Sequence, residues 1–378
     1  MTKISSPSQG SKLTQPRQSC GRDSHFAPAA GRRSIAARGR SVIVWSAVGL
    51  ITIQLGLALA IEYGDPGLRD PEYGRKLALL RASLAEDSSR PLVLAVGSSR
   101  TQLGLRPEAF AAAAIPPPLV FNFGICGAGP VRELVLVRRL LAEGIRPRWL
   151  LIEIHPLLLH EGPNFGEMDS LEYGRFAWGD LSCLSRYAYE PWRAYVDWLT
   201  SRLTSGYVYR GGFLNRFLPS WLESGSPLHT WDPLDSSGWL DTGCTAGDPE
   251  DDRRRLESAV VEYAPAFTHF RVTERPDRAV RELLDLCRRQ RIAVACYLMP
   301  ESRGFQAAYS AETKARIAAF LRELAGKHQV AVCDATDWID DSGFIDGHHL
   351  RSEGADDFSD RFGRTMMARS PPGNDARR

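Results

Sequence analysis

The sequence predicts a doubly wound α/β domain built on a parallel sheet of about five strands. Five short apolar runs lie along the chain, and such runs are typical of strands that are buried on both faces. They occupy residues 92–96, 119–123, 149–154, 292–298 and 330–334. Amphipathic helical patterns separate several of them, at residues 131–144, 278–290 and 311–327. Because parallel strands are joined by helical crossovers, this alternation favours helices on both faces of the sheet.

The composition is that of a globular protein with one charged end. Of the 378 residues, 43% are hydrophobic and 24% are charged, which is ordinary for a folded chain. Residues 1–40 contain eight Lys or Arg and one acid, a charge of +7, which leaves −5 for the remainder of a chain whose formal net charge is +2. The remainder shows no basic surface interleaved with aromatic residues, and this argues against nucleic-acid binding.

An apolar segment follows the basic end. Residues 42–61 are twenty residues without a charge, and as a helix they would extend about 30 Å, the thickness of a bilayer core. We therefore predict a transmembrane helix over residues 41–62, with the basic end in the cytoplasm and the chain beyond it outside. Two alternatives stay open: a signal peptide cleaved near the small-x-small site Ala58-Leu59-Ala60, and a buried helix of a soluble domain.

The remaining boundaries follow from composition and pattern. Residues 1–40 are rich in Ser, Gly, Pro and Arg, and we predict that they form a disordered cytoplasmic tail. Residues 63–90 are predicted to form a linker with a short helix, residues 91–366 the α/β domain, and residues 367–378 a disordered tail.

An aromatic-rich insert interrupts the alternation between about residues 157 and 270. It carries six of the nine tryptophans of the chain, Trp178, Trp192, Trp198, Trp221, Trp231 and Trp239. One interpretation is that these side chains build a small core of the insert. The other is that the insert forms a lid or groove over an active site, since exposed aromatic faces suit sugar rings and acyl chains.

The cysteines and the acidic residues of the insert do not predict a metal site. No pair of the seven cysteines has C-x-x-C or zinc-ligand spacing. Cys126, Cys287, Cys296 and Cys333 are predicted to be core residues, while Cys183 and Cys244 are candidates for an extracellular disulfide. Asp180, Asp232 and Asp235 have no spacing that a metal requires. We predict neither a metal nor a cofactor.

Two distant segments together offer a nucleophile and its base. The first strand ends on Gly97-Ser98-Ser99, at the carboxyl edge where ligands bind in such sheets. Just after the last strand, Asp346 and His349 stand three residues apart. A serine nucleophile needs a base within hydrogen-bond reach, and the base needs a group that holds its tautomer. The alternatives are an ordinary strand end and an acid that merely caps a turn.

The helix predicted after this second segment has its own signals. Ser352 is placed to cap its first turn, and Ala355 and Phe358 are spaced to pack inward.

These two segments resemble the sequence blocks of the SGNH (GDSL-like) hydrolase superfamily, which has a flavodoxin-like, three-layer α/β fold. The G-D-S-x block corresponds to residues 97–100, which selects Ser99 as the nucleophile and places Ser98 where the family usually has Asp. The D-x-x-H-P-x-x-x-G block corresponds to residues 346–354, with Leu350 in place of the proline. The spacing to Gly354 selects His349, rather than His348, as the base.

The resemblance also implies an oxyanion hole. The turn "NFGICGAG" after the second strand corresponds to the second block, so that the N–H groups of Gly127 and Ser99 are the implied donors. The third block, which should supply an Asn, is absent from "LLIEIHPLLLH". His155 lies at about its position and is the candidate substitute donor.

Three other charged residues near strand ends have more than one interpretation. Glu153 is either catalytic or paired at the sheet's end, and the second interpretation is the simpler. Glu301 and Arg303 either contact substrate or belong to a solvated loop, and we expect the loop.

A narrower resemblance is to membrane-anchored, extracytoplasmic SGNH-like proteins that accompany membrane O-acyltransferases of exopolysaccharides and teichoic acids. The single anchor, the "GSSRT" block, the "YLMPES" strand and the long insert carry it. It implies a serine esterase or O-acyltransferase acting on acylated cell-surface glycans or polysaccharides, with a membrane O-acyltransferase as partner. The alternative is a non-catalytic glycan-binding or scaffold protein of the same fold, which the missing Asn favours.

Overall fold

The predicted α/β fold is confirmed by a computed structural model, which describes residues 30–163, 165–221, 234–241, 243 and 248–369. The five strands are β1 (Leu92–Gly97), β2 (Leu119–Gly124), β3 (Trp149–Glu153), β4 (Ala293–Leu298) and β5 (Ala331–Asp334). They form one sheet in the order β2-β1-β3-β4-β5, and every pairing is parallel. Each strand lies within one residue of its predicted bounds, because each is a short apolar run in a polar context.

Helices connect and cover the strands. Their bounds are α1 (Ala30–Tyr63), α2 (Pro71–Glu86), α3 (Ser99–Gly104), α4 (Pro107–Ala111), α5 (Pro130–Ala142), α6 (Trp178–Leu184), α7 (Pro191–Leu203), α8 (Ser205–Val208), α9 (Arg210–Phe217), α10 (Pro249–Glu262), α11 (Ala264–His269), α12 (Glu274–Arg289), α13 (Arg303–Gln306), α14 (Ala311–His328) and α15 (Ser352–Arg369). The three predicted crossover helices correspond to α5, α12 and α14.

The sheet is buried on both faces by two hydrophobic clusters. Alternate residues of β1 divide between them: Leu92, Leu94 and Val96 belong to one cluster, Val93 and Ala95 to the other. Side chains of α2, α5, α12 and α14 complete the first cluster, and those of α4 and α15 complete the second. Because successive side chains of a strand point to opposite faces, this division makes the sheet the middle of three layers.

The strand order determines where a ligand site lies. The chain runs from β1 outward to β2 on one side and later to β3 on the other side. At such a reversal the connections leave β1 in opposite directions, and a crevice opens beyond the carboxyl ends of the strands. Gly97, the last residue of β1, lies opposite Gly124 at the end of β2.

Several boundary predictions need correction. Helix α1 begins at Ala30, so residues 30–40 are helical rather than disordered, and α15 continues to Arg369 rather than ending at residue 366. Residues 1–29 and 370–378 of the predicted tails lie outside the described residues. Within α1, the 26-residue stretch Arg38–Tyr63 is long and apolar enough to cross a membrane.

Most of the insert tryptophans that the structure describes are not buried in a small core of the insert, which was one of the two interpretations. Trp178, Trp192 and Trp221 are exposed, with 57%, 62% and 74% of their surface accessible. Trp239 is buried but belongs to the second cluster of the sheet, and Trp231 lies outside the described residues. Only Trp198 is half-buried inside the insert, where its Nε1–H donates to the Phe176 carbonyl at 3.1 Å.

The cysteines follow the prediction in part. Cys287, Cys296 and Cys333 are buried as expected, but Cys126 is exposed in the loop after β2. Cys183 is a free, buried thiol rather than part of a disulfide, and Cys244 lies outside the described residues. Asp232 also lies outside them, and the Asp235 carboxylate accepts the N–H groups of Ser237 and Trp239 in a turn.

Candidate active site

The turn from β1 into α3 sets out the first part of the site. Gly97 has no room for a side chain, because a Cβ there would lie 2.2 Å from Thr101 Oγ1 and 2.5 Å from Glu153 Oε2. Ser98 caps α3, and its hydroxyl accepts the N–H of Arg100 at 3.1 Å. Ser99 is therefore the first residue of α3, where a backbone N–H has no acceptor within the helix. Its side chain is partly exposed.

Ser99, His349 and Asp346 lie in one hydrogen-bonded line. The Ser99 hydroxyl is 2.8 Å from His349 Nε2, and His349 Nδ1 is 2.7 Å from Asp346 Oδ2. A second oxygen of the same carboxylate, Asp346 Oδ1, accepts the backbone N–H of His349 at 2.9 Å. The predicted contact between Ser99 and His349, which are separated by 250 residues in sequence, is confirmed.

The carboxylate sets the state of the imidazole. Because Asp346 Oδ2 only accepts when ionised, His349 Nδ1 carries the proton and Nε2 presents its lone pair to the Ser99 hydroxyl. Burial acts to raise the pKa of Asp346, but the hydrogen bond from His349 and the charges of His349 and His348 outweigh it and hold that pKa below its usual range. The arrangement therefore favours a serine that donates and a histidine that accepts.

The neighbouring histidine has different surroundings. His348 is 3% exposed, its ring stacks on Phe305 with centroids 5.0 Å apart, and Nδ1 is 3.3 Å from Asp346 Oδ1. Burial and the nearby His349 lower the pKa of His348 well below its usual value. His348 is thus a buried neighbour of Asp346, whereas His349 is the histidine that contacts Ser99. Asp346, His348 and His349 offer three atoms of the metal-ligating type within 4.8 Å of one another. Of these groups, the Asp346 carboxylate and the His349 imidazole are hydrogen-bonded to each other in the line that leads to Ser99.

The loop after β2 places Gly127 at the same edge of the sheet. Gly127 has φ +66°, a left-handed conformation that glycine adopts without strain. The preceding residue is held from both sides: the Cys126 N–H donates to Glu72 Oε1 at 3.1 Å, and its carbonyl accepts from Arg132 Nη1 at 3.1 Å. Gly127 is thus in a loop whose backbone is held by these two hydrogen bonds. The sequence patterns did not predict that Glu72 accepts one of them.

His155 does not face an open site. It is 4% exposed, and both of its ring nitrogens are buried without a hydrogen-bond partner among the described residues. Burial, together with the charges of Arg100, His348 and His349, lowers its pKa well below the usual value. The interpretation of His155 as a substitute oxyanion donor is not supported by this geometry, because a substrate oxygen has no access to either nitrogen.

A buried charge network lies beneath the serine turn. Glu153 Oε2 accepts the Ser98 N–H at 2.8 Å and the Thr101 hydroxyl at 2.6 Å. Arg100, which is 1% exposed, pairs with Glu301 at 3.1 Å and lies 3.9 Å from Glu153. Glu153 is thus paired at the sheet's end, which was the simpler of its two interpretations.

For Glu301 the solvated-loop expectation is wrong. Its carboxylate is 4% exposed and receives, besides Arg100, the Tyr309 hydroxyl at 3.0 Å. Arg303, by contrast, is exposed. The available signal was topological, since Arg100, Glu153 and Glu301 all follow or end neighbouring strands of one parallel sheet and therefore meet at its carboxyl edge.

The predicted helix after His349 is present as α15. Ala355 and Phe358 are fully buried, as expected. Ser352 is the first residue of the helix rather than the residue before it that would cap it, and its hydroxyl donates to Asp241 Oδ1 at 2.8 Å.

Comparisons with known proteins establish no family for this chain. No protein-family model matches it, and no curated protein matches it. A crystal structure of a proposed acylhydrolase from Bacteroides fragilis NCTC 9343 is similar over 77% of this chain and 96% of that chain, with 12% sequence identity and a TM-score of 0.35. A likeness at this level identifies neither a shared family nor a function.

Proposed function

We propose that this protein is a membrane-anchored serine esterase or O-acyltransferase, with Ser99 as nucleophile, His349 as general base and Asp346 as the group that orients the base. One observation carries the proposal: two short contacts, of 2.8 and 2.7 Å, join a helix-start serine, an imidazole and an ionised carboxylate in a line. Serine hydrolases of unrelated folds share this constellation, which is recognised by geometry rather than by sequence position.

In the first half of the reaction, Ser99 Oγ attacks the carbonyl carbon of an acyl ester while His349 Nε2 takes the hydroxyl proton. The tetrahedral intermediate then collapses, the ester C–O bond breaks, and the imidazolium returns the proton to the leaving alcohol. Asp346 stabilises the imidazolium through the 2.7 Å contact to Nδ1. The product is an acyl-Ser99 ester and a free alcohol.

The oxyanion of the intermediate is assigned to backbone donors. The Ser99 N–H is free at the start of α3, and Gly127 belongs to the loop that is held by Glu72. Backbone N–H groups aimed at a developing oxyanion are typically the largest electrostatic contribution to acyl transfer. A second alcohol or a water, deprotonated by His349, then attacks the carbonyl carbon of acyl-Ser99; the bond from that carbon to Ser99 Oγ breaks, and the imidazolium returns the proton to Oγ. Water gives hydrolysis, and a sugar hydroxyl gives acyl transfer.

The proposed substrates are acyl esters of cell-surface glycans or polysaccharides. Two features support this part of the proposal: an apolar stretch long enough to anchor the chain in a membrane, and the basic residues before it, which favour a cytoplasmic N-terminus and an extracytoplasmic domain. An esterase tethered at that surface meets acylated glycans rather than soluble metabolites. A membrane O-acyltransferase that supplies or receives the acyl group is the proposed partner.

The test is turnover of p-nitrophenyl acetate by the full chain in detergent. Ser99→Ala and His349→Ala are each expected to lower kcat by about 10⁴-fold or more, since the members of such a triad act as a unit. Ser98→Ala is the matched control: it removes a helix cap and is expected to cost about 1 kcal/mol of stability while the turnover stays within about tenfold of the wild type. Equal losses at Ser98 and Ser99 would contradict the assignment of the nucleophile.

The second candidate function is a non-catalytic glycan-binding or scaffold protein. The burial of His155 favours it, because this side chain, the candidate for the third oxyanion donor implied by the resemblance, has both ring nitrogens buried. In that case the wild type and Ser99→Ala would hydrolyse the ester equally slowly. Both would also bind an acylated polysaccharide with the same Kd.

A further inference from the structure

Helix α7 has an apolar face that the described chain leaves largely exposed, although its Tyr195 ring packs edge-on against Trp178 with centroids 5.8 Å apart. Its exposed side chains are Trp192, Tyr195, Val196, Leu199 and Leu203, with 62%, 36%, 47%, 51% and 60% of their surfaces accessible. These positions are spaced three or four residues apart, so they form one stripe along the helix. The opposite side of α7 packs inward through Ala194, Ser201 and Arg202. An apolar stripe on the outer face of a helix marks an interaction surface.

Exposed apolar side chains also occur on α8, the short helix that follows α7. Tyr207 is 70% exposed and Val208 44% exposed, and the guanidinium of Arg210 lies over the Tyr207 ring at 4.3 Å. The surface formed by the α7 stripe and these two residues is called the insert face below. It combines apolar side chains with tryptophan, tyrosine and arginine, which are the residues enriched where a bilayer meets water.

The side of α7 opposite the stripe, and the start of α6, contact the last turns of α1. Arg202 Nη2 is 2.9 Å from Glu62 Oε2, and the Trp178 N–H donates to Glu62 Oε1 at 2.6 Å. Farther back along α1, Gln54 Oε1 accepts the N–H of Gly206 at 3.3 Å. The first residues of α8 therefore lie beside Gln54 and not beyond the end of α1.

This contact determines a depth. Gln54 precedes Ile61, the end of the uncharged segment, by seven residues, and at 1.5 Å per residue this distance is about 10 Å along the helix. If Ile61 lies at the outer boundary of the hydrocarbon core, the first residues of α8 lie about 10 Å beneath that boundary. Helices that lie in the interface bury their apolar faces about 5–10 Å into the headgroup and acyl boundary, so α8 lies at the deep end of that range.

We infer that the insert face lies in the outer boundary of the lipid bilayer, so that the domain is held to the membrane by a surface as well as by α1. This inference rests on the anchor part of the proposed function and goes beyond its chemistry. The bilayer is chosen over a protein partner because α8 contacts Gln54, which lies within the stretch that is long and apolar enough to cross a membrane. A domain held by this second surface would keep one orientation to the membrane.

The experiment measures lipid contact at one residue of the insert face. In the full chain, Cys20, Cys126 and Cys244 are replaced by serine, and a single cysteine is introduced by Val196→Cys and labelled with bimane. The matched control is Val261→Cys, an exposed valine on α10, 72% accessible and away from the insert face. Each protein is reconstituted in vesicles of phosphatidylethanolamine and phosphatidylglycerol, with and without a lipid that carries a doxyl quencher near its glycerol backbone.

The expected result is quenching at least about threefold stronger at Val196 than at Val261, because a shallow doxyl group reaches only side chains at the interfacial depth. Thermal unfolding and fluorophosphonate labelling of each variant check that the fold is intact. Equal quenching at the two sites would overturn the inference. A second result would also overturn it. If the label at Val196 were not quenched by the lipid in vesicles of the pure protein, but were shielded from aqueous iodide in native membranes, the insert face would be covered by a protein rather than by lipid.

Flotation of the vesicles after an alkaline wash separates this inference from the anchor. A chain that floats without quenching at Val196 retains the anchor and refutes the insert face as a lipid surface. A chain that does not float refutes both.

Discussion

Charged side chains are buried at the carboxyl edge of the sheet, and apolar side chains are exposed on the insert face. Both are the reverse of the usual distribution in a folded protein. At the edge, Arg100, Glu153 and Glu301 are charged and almost fully buried, and each has a charged partner. On the insert face, Trp192 and Leu203 are apolar and about 60% exposed. Buried charge is costly unless it is paired, and exposed apolar surface is costly unless it is covered. The charged side chains at the edge of the sheet have their partners within the chain, whereas the apolar side chains of the insert face require a partner outside it.

This comparison assigns different tasks to the two regions. The buried charges hold the turn that presents the partly exposed Ser99 hydroxyl, so the edge of the sheet is the region that carries the proposed chemistry. The exposed stripe contacts no reacting group, so the insert defines location. Substitutions at the edge should therefore change turnover or folding, whereas substitutions on the insert face should change only how the domain meets the membrane.

The largest effect at the edge, after loss of Ser99 or His349, is expected for Asp346→Asn. An amide keeps the shape but donates to His349 Nδ1, which imposes the wrong tautomer and removes the charge that stabilises the imidazolium. We expect ester turnover to fall by about 10³–10⁴-fold. The double variant Ser99→Ala/Asp346→Asn should lose little more than Ser99→Ala alone. If the losses of turnover in the two single variants multiplied in the double variant, the residues would act independently, and this would contradict a triad that acts as a unit.

The next effect concerns the fold itself. Glu153→Ala leaves Arg100 with one carboxylate fewer and strips the acceptor from Ser98 and Thr101, so we expect a loss of about 3–5 kcal/mol in the free energy of unfolding. Glu108→Ala is the control, because the Glu108 side chain is 74% exposed and its nearest cation is 3.9 Å away. Chemical denaturation of the two variants gives the comparison. Similar midpoints would mean that the buried network does not support the serine turn.

The smallest effect is a pH dependence. Since the pKa of Asp346 is held below its usual range in the folded chain, its carboxylate stabilises the fold at any pH above its unfolded pKa of about 3.9, and that stability is lost as the pH falls below it. The difference in Tm between the wild type and Asp346→Asn should therefore narrow between pH 7 and about pH 3.5. A difference that widens on acidification would reverse the sign that we assign to this group.

The sequence predicted the edge of the sheet far better than the insert. Apolar runs locate the strands because a strand that is buried on both faces must be apolar at nearly every position. The parallel arrangement of the sheet then brings Ser99 and His349 to one edge. The pairing of Arg100 with Glu301 was missed because it depends on which strands are neighbours. The exposure of Trp178 and Trp192 was left open between two interpretations, because a count of aromatic residues does not say which face of a helix they occupy.

The central claim is that Ser99 is a nucleophile activated by His349, and reaction with a fluorophosphonate tests it most directly. The serine oxygen attacks phosphorus, fluoride leaves, and the adduct stays on the nucleophile, where peptide mass spectrometry locates it. We predict one adduct, on Ser99, in the wild type, and none in Ser99→Ala or His349→Ala that retain the wild-type thermal unfolding profile. An adduct on Ser98, or labelling of His349→Ala at the wild-type rate, would contradict the account.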